Sequence, residues 1–268
     1  MGSLLKTDIK RILKDKLFLI VLIIGAAFAL FNPLLYKLIF SALDSEEMLG
    51  MVVSAKSLFF ESFLPGSNFG LIVPILISII VCKDFSYGTI RNKIIMGKSR
   101  FSIFLSMFIS SAITMCAVML AHAILTLLIS LMFFEFQTDP FTFGDFGYIL
   151  ISILFEMLVY IFLASIVAFL SVSMKNVGLS IVMFVAINFI FTILGSIIQV
   201  AALFADPESS SFKVLEFLQK SNIFMSTIIG TGTSYEFADF MYVLIPTILG
   251  TALILFLGNV IFKKKDLK

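Results

Sequence analysis

The sequence predicts an all-α integral membrane protein with six transmembrane helices, and three observations carry that prediction. The 268 residues are 60% hydrophobic and 13% charged, with a mean hydropathy of +1.12, whereas a soluble domain is about 45–50% apolar and about 25% charged. The apolar residues gather in six runs long enough to cross a bilayer, which takes about 20 residues of helix. These runs are continuous and do not alternate in segments of about ten, as the strands of a membrane barrel would. A folded globule also needs a polar skin, so the composition excludes a cytosolic enzyme, a nucleic-acid binder and a disordered chain.

Residues 1–16 place Leu5, Ile9, Ile12 and Leu13 on one helical face and Lys6, Lys10 and Lys14 on another. That pattern predicts a short amphipathic helix lying in the membrane interface. The first span is 17–36. Its Ala27-Phe28-Ala29 resembles the end of a cleaved leader, but the apolar run continues to Leu35 and a retained span is expected. A long acidic segment, 37–61, leads to the second span, 62–82, and a basic loop, 83–100, leads to the third, 101–134. The connection 135–145 is short enough to make the third and fourth spans antiparallel neighbours. The fourth, 146–174, is interrupted only by Glu156; Lys175 separates it from the fifth, 176–205. Residues 206–239 hold Phe212, Leu215, Phe217, Leu218, Ile223, Phe224, Ile228 and Ile229, too apolar for a solvated loop. Short helices in the far leaflet are expected there, broken at Gly230-Thr231-Gly232. The sixth span is 240–262. No internal repeat or linker divides residues 1–268, so one membrane domain is expected.

Orientation follows from lysine and arginine. The ends of the chain, the loop 83–100 and Lys175 carry 15 of the 19 basic residues. The opposite side holds only Lys37, Lys56, Lys213 and Lys220, with 12 of the 17 acids. Both termini are therefore expected in the cytoplasm. Cys82 and Cys116 lie in apolar runs, which speaks against a disulfide or a thiolate metal site, and His122 is the single histidine.

The loop after the second span is the most specific segment. Gly88 permits a turn, Thr89 is placed to cap a short helix, and Gly97 suits the left-handed position after its last turn. Between them Ile90, Ile94 and Ile95 form an apolar face, with Arg91 and Lys93 as a basic flank. A two-turn amphipathic helix of this kind fits a groove on another protein; alternatively its charges serve only to orient the chain. The fragment Gly97-Lys98-Ser99 ends like a P-loop, but the required earlier glycine position is Asn92 and a membrane span, not a strand, precedes it.

The order Asp84, Gly88-Thr89, basic cluster, Gly97-x-Ser99-Arg100 resembles the corresponding loop of bacterial type-2 ABC permeases, a class that includes exporters of antibiotics, lantibiotics and other toxic peptides. The likeness covers the whole chain in layout and specific residues only in 82–100; in size and layout it is nearest the exporters of phenol-soluble modulins. The resemblance implies that Asp84, Gly88, Thr89, Ile90, Arg91, Lys93, Ile94, Gly97, Ser99 and Arg100 form a coupling helix and its flanks, docked on a separate ATPase. It further implies a bacterial plasma-membrane assembly of two permease subunits and two ATPase subunits, homodimeric or heterodimeric in the membrane part. ATP and magnesium would bind the partner, no cofactor or metal would bind this chain, and the cargo would be an amphipathic peptide or a drug. On this reading the chain is not itself an enzyme. An ion-driven secondary transporter, or a non-transporting immunity or sensor protein on the same scaffold, stays open as an alternative.

Within the membrane, Glu156 and His122 lie at similar depths on neighbouring spans, which makes a polar element of the translocation path, or a packing pair, out of two costly residues. Asn32-Pro33, Pro74, Asn188 and Pro246 interrupt spans and mark candidate bends. Gly66 and Gly70 match the small-xxx-small helix-contact pattern.

Overall fold

A computed structural model describes residues 2–42, 53–66, 68–137, 140–174, 176–206, 208–225 and 237–265. Among them are ten α-helices and no strand. The helices are α1 (Gly2–Lys14), α2 (Lys16–Ala42), α3 (Ala55–Phe63), α4 (Asn68–Ser86), α5 (Thr89–Ile95), α6 (Arg100–Ser130), α7 (Phe143–Met174), α8 (Val177–Phe204), α9 (Ser210–Lys220) and α10 (Phe237–Lys264). Six of them, α2, α4, α6, α7, α8 and α10, are long and apolar enough to cross a membrane. At 1.5 Å per residue the longest, α7 with 32 residues, reaches about 48 Å. That length exceeds a hydrocarbon core of about 30 Å, so the helix would tilt or project beyond a bilayer that it crossed.

Several of the predicted boundaries shift. The second crossing begins at 68 rather than 62, because Leu64-Pro65-Gly66 breaks the chain after α3. Helix α3 is a separate unit, closed at its start by a capping box between Ser54 and Ser57. The first crossing continues to Ala42, past Pro33. The third crossing ends at Ser130 rather than 134, where 131–133 turn. Pro33, Pro74 and Pro246 all lie inside continuous helices, so each removes a backbone hydrogen bond without ending its span. Gly66 and Gly70 serve the break itself: a Cβ on Gly70 would collide with the Leu64 carbonyl and approach the Tyr160 hydroxyl to 2.9 Å. The expected break at Gly230-Thr231-Gly232, and the loop residue Lys175, lie outside the described residues.

Helices α6 and α7 are the centre of the bundle. Helix α6 touches α1, α2, α3, α4, α7 and α10, and α7 touches α4, α6, α8 and α10. Of the apolar stretch of α7, 61% is buried inside the chain, against 17% for α8 and 11% for α10. The last two therefore present broad apolar faces outward. The interior mixes branched aliphatics with Phe69, Phe104, Tyr160, Phe184 and Phe262, and several short hydroxyl side chains there bond to the preceding turn, as Ser111 does to the Met107 carbonyl at 2.8 Å, while those of Ser78, Ser130 and Ser152 find no partner among the described residues. Such local bonds let small polar residues sit in an apolar bundle without desolvation cost.

Candidate functional site

The loop between the second and third crossings is built by turn chemistry. Helix α4 ends at Ser86, and Gly88 follows in the left-handed conformation (φ 67°) as the N-cap of α5. Only glycine takes this conformation without strain. Thr89 is the first helical residue and caps nothing, which corrects the capping role expected from sequence: the reversal at Gly88 leaves no side-chain cap. At the other end Gly97 is left-handed (φ 77°). The Gly97 N–H donates to the Ile94 carbonyl at 2.9 Å and the Lys98 N–H to the Lys93 carbonyl at 3.1 Å, the paired bonds of a Schellman motif. Ser99 then caps α6, its hydroxyl accepting from the Ser102 N–H. A seven-residue helix would be unstable alone; here both ends are fixed.

The orientation of α5 differs from the sequence expectation. Ile90 is 1% exposed and belongs to the main core, and Ile94 packs beside it. Lys93 is also buried, at 4%. These residues face the chain's own bundle, because the helix is pulled inward by an ion cluster at the basic end of the molecule. The Lys93 ammonium donates to Asp8 of α1 at 2.6 Å and lies 3.8 Å from Asp84 of α4. Arg11 of α1 pairs with Asp84, and the Ser106 hydroxyl of α6 donates to the second Asp8 oxygen at 2.7 Å. Two acids and two bases thus cancel, as burial requires. Burial pushes the Lys93 ammonium below its ordinary pKa, against the raising effect of the Asp8 hydrogen bond. Nearby, Lys83 pairs with Asp15 at 3.0 Å. Burial alone would raise the Asp15 carboxyl, but the Leu17 N–H and Lys83 outweigh it and leave the group below its ordinary value.

What α5 leaves exposed is a different set. Tyr87, Ile95 and Met96 are 75%, 73% and 67% exposed, and Arg91 and Asn92 are exposed beside them. Arg100, expected to flank the coupling helix, instead ties α6 to α10: its guanidinium donates to the carbonyls of Phe262, Lys263 and Lys265 at 3.0, 2.9 and 2.7 Å. The Lys265 ammonium in turn donates to the Val172 carbonyl at 2.7 Å, closing the ends of α7 and α10 together.

In the middle of the bundle His122 and Glu156 are both buried, but no hydrogen bond or ion pair joins them. His122 turns to α2, with Nδ1 2.9 Å from the Gly25 carbonyl. A carbonyl only accepts, so Nδ1 carries the proton. Its ring lies 4.4 Å from that of Phe69, and it lines a small cavity of about 90 Å³ with Leu22, Gly25 and Phe69. Glu156, on α7, is 1% exposed, and neither carboxyl oxygen has a hydrogen-bond partner among the described residues. One turn further along, the Tyr160 hydroxyl donates to the Phe63 carbonyl at 2.8 Å.

A family model described as a protein of unknown function, DUF2705, matches residues 18–268. The chain belongs to this family. No curated protein matches it. The match includes α5 and all six crossings of this DUF2705 chain, while α1, which supplies Asp8 and Arg11, precedes the matched region.

Asp8, Arg11 and Ser106 were not singled out in the sequence, nor were Tyr87 and Met96 as exposed groups. One signal for Asp8 is present: Leu4, Asp8 and Ile12 recur every four residues on the buried face of α1. A charge on an otherwise apolar stripe calls for a buried partner.

Proposed function

We propose that this chain is the membrane-spanning permease subunit of an ATP-driven exporter in a bacterial plasma membrane, with both termini in the cytoplasm. Two such subunits and two separate ATPase subunits would make the working assembly. The observation that carries the reading is α5: a helix too short to fold alone, fixed at both ends and locked inward by Lys93, yet displaying Tyr87, Arg91, Ile95 and Met96 outward. Large exposed apolar and basic side chains on a rigid, membrane-proximal helix suit docking into a cleft of a soluble partner. Movement of that partner would reach the spans through Asp8, Asp84 and the core contacts of Ile90. An amphipathic peptide or drug is the cargo class that the resemblance of 82–100 implies. The resident cofactors, ATP and magnesium, belong to the partner.

The competing ion-driven reading rests on Glu156, a buried acid without a partner. Secondary transporters build their sites from helices broken at mid-membrane, whereas all six crossings here are continuous helices. That continuity favours the ATPase-coupled reading.

The test co-expresses this chain with an ATP-binding-cassette ATPase from the same genome and reconstitutes the two together. Ile95→Asp with Met96→Asp should abolish co-purification and cargo-stimulated ATP hydrolysis while leaving membrane insertion and thermal stability unchanged. Ile90→Asp should instead destroy the fold, because its side chain lies in the core. Normal assembly and coupling in the Ile95/Met96 variant would rule out α5 as the docking element.

A further inference from the structure

Helix α1 carries three stripes set by the helical repeat. Leu4, Asp8 and Ile12 are buried, and the helix packs along α6. About 100° further round lie Leu5, Ile9 and Leu13, with Leu13 54% exposed. Another step brings Lys6, Lys10 and Lys14, all exposed and directed away from the bundle. On the remaining side Arg11 reaches Asp84. Going round the helix, the order is therefore protein, apolar side chains, lysines, polar face. At the end of a membrane bundle this order sinks Leu5, Ile9 and Leu13 into hydrocarbon and leaves the lysine stems to run outward to headgroup depth. None of the three lysines has an ion-pair partner among the described residues. The ammonium groups extend over about 12 Å of helix, and a lysine serves a phosphate as a point charge without demanding fixed geometry.

We propose that Lys6, Lys10 and Lys14 form a binding site for anionic phospholipid headgroups, and that lipid held there steadies α1 against α5 through the Asp8–Lys93 pair and against α4 through the Arg11–Asp84 pair. The site requires that the six apolar helices span a membrane. It does not depend on the identity of the ATPase or the cargo, so it stands or falls separately from the docking reading.

The chain contains no tryptophan, so Leu13→Trp introduces a unique fluorophore beside the lysines. The full chain is placed in nanodiscs containing brominated phosphatidylglycerol or brominated phosphatidylcholine, both of which quench indole on contact. The anionic lipid is expected to quench at a mole fraction about threefold or more lower than the zwitterionic one, within the attraction a single near-surface lysine supplies. High salt should remove the difference. Leu179→Trp, at an exposed position opening α8 at the same end of the bundle, reports the ordinary lipid annulus and should show a clearly smaller difference. Lys6→Gln, Lys10→Gln and Lys14→Gln combined should abolish the anionic preference at position 13 and leave zwitterionic quenching unchanged; the three Lys→Arg changes should keep the preference. Equal quenching by both lipids at position 13, an equal preference at position 179, or a preference that survives the glutamine changes would overturn the proposal. A glutamine variant whose zwitterionic quenching also changes assigns the lysines to holding the helix in place, and overturns it as well.

Discussion

Two buried residues on this chain illustrate opposite uses of charge. Lys93 is compensated: Asp8 and Asp84 face it, and Ser106 satisfies the second oxygen of Asp8. Removing one member strands the other, which costs about 3–5 kcal/mol for a buried pair, whereas replacing both with apolar residues of similar volume is neutral or better. Asp8→Ala should therefore lower the thermal midpoint of the detergent-purified protein sharply, and Asp8→Leu with Lys93→Met should restore it. A double variant as unstable as the single would show that the ion pair does not set the position of α5. Glu156 is uncompensated among the described residues, where neither of its oxygens is bonded. A buried polar group without a partner costs about 1–3 kcal/mol, so Glu156→Leu should raise thermal stability. If the proposed export function holds, transport should fall at the same time, because costly intramembrane acids serve function. If Glu156→Leu exports normally, the residue has no part in the translocation path.

Among the elements, α5 was the short helix whose turns could be read from sequence and whose buried face could not, while α3 was not foreseen, its residues falling across the expected loop 37–61 and the expected second span. Gly88 and Gly97 announce their turns because a left-handed residue depends only on its immediate neighbours, whereas the expected cap is misplaced: Thr89 caps nothing and Ser99 caps α6. Which apolar side of α5 turns inward depends on α1, a segment about 80 residues distant, and no local spacing reveals it. Ile90 and Ile95 look equivalent in the sequence and lie on opposite sides of the structure. The same limit applies to His122 and Glu156: Cys116 Sγ lies against the Met157 carbonyl, which sets Glu156 more than a turn along α6 from His122, and the imidazole bonds to Gly25 of α2 instead. The turn at Gly88 supplies a clean test of how rigidly α5 must be held. A Cβ there meets nothing within 4 Å, so Gly88→Ala changes only backbone strain, about 1–2 kcal/mol for a left-handed alanine. On the proposed ATPase-coupled function, it should reduce the coupling of ATP hydrolysis to transport more than it reduces the yield of folded protein. Unchanged coupling would mean that α5 tolerates a mobile entry.

At the scale of the whole molecule, the six long apolar helices were legible because hydrocarbon admits only helices and closed barrels, and continuous runs of about 20 apolar residues without alternation leave the helix. Placing the molecule in the membrane is a further step, argued from charge. The structure gathers Arg11, Lys83, Lys93, Arg100 and Lys265 at one end, where they bond across α1, α4, α5, α6, α7 and α10. Lys56 and Asp145 pair on α3 and α7 at 3.0 Å, in segments that the spans place at the other end. Basic residues near span ends stay on the cytoplasmic side, and an even number of crossings returns both termini to the same side. With Cys82 and Cys116 replaced by alanine, a single cysteine at Asp206 should react in intact cells with a reagent that does not cross membranes. Single cysteines at Lys98 or Lys264 should react only after the membrane is opened. The exposed positions on α5 could not meet a cytoplasmic ATPase in any other arrangement, so labelling at Lys98 from outside would overturn the orientation and the proposed partner together, while leaving the six-helix fold untouched.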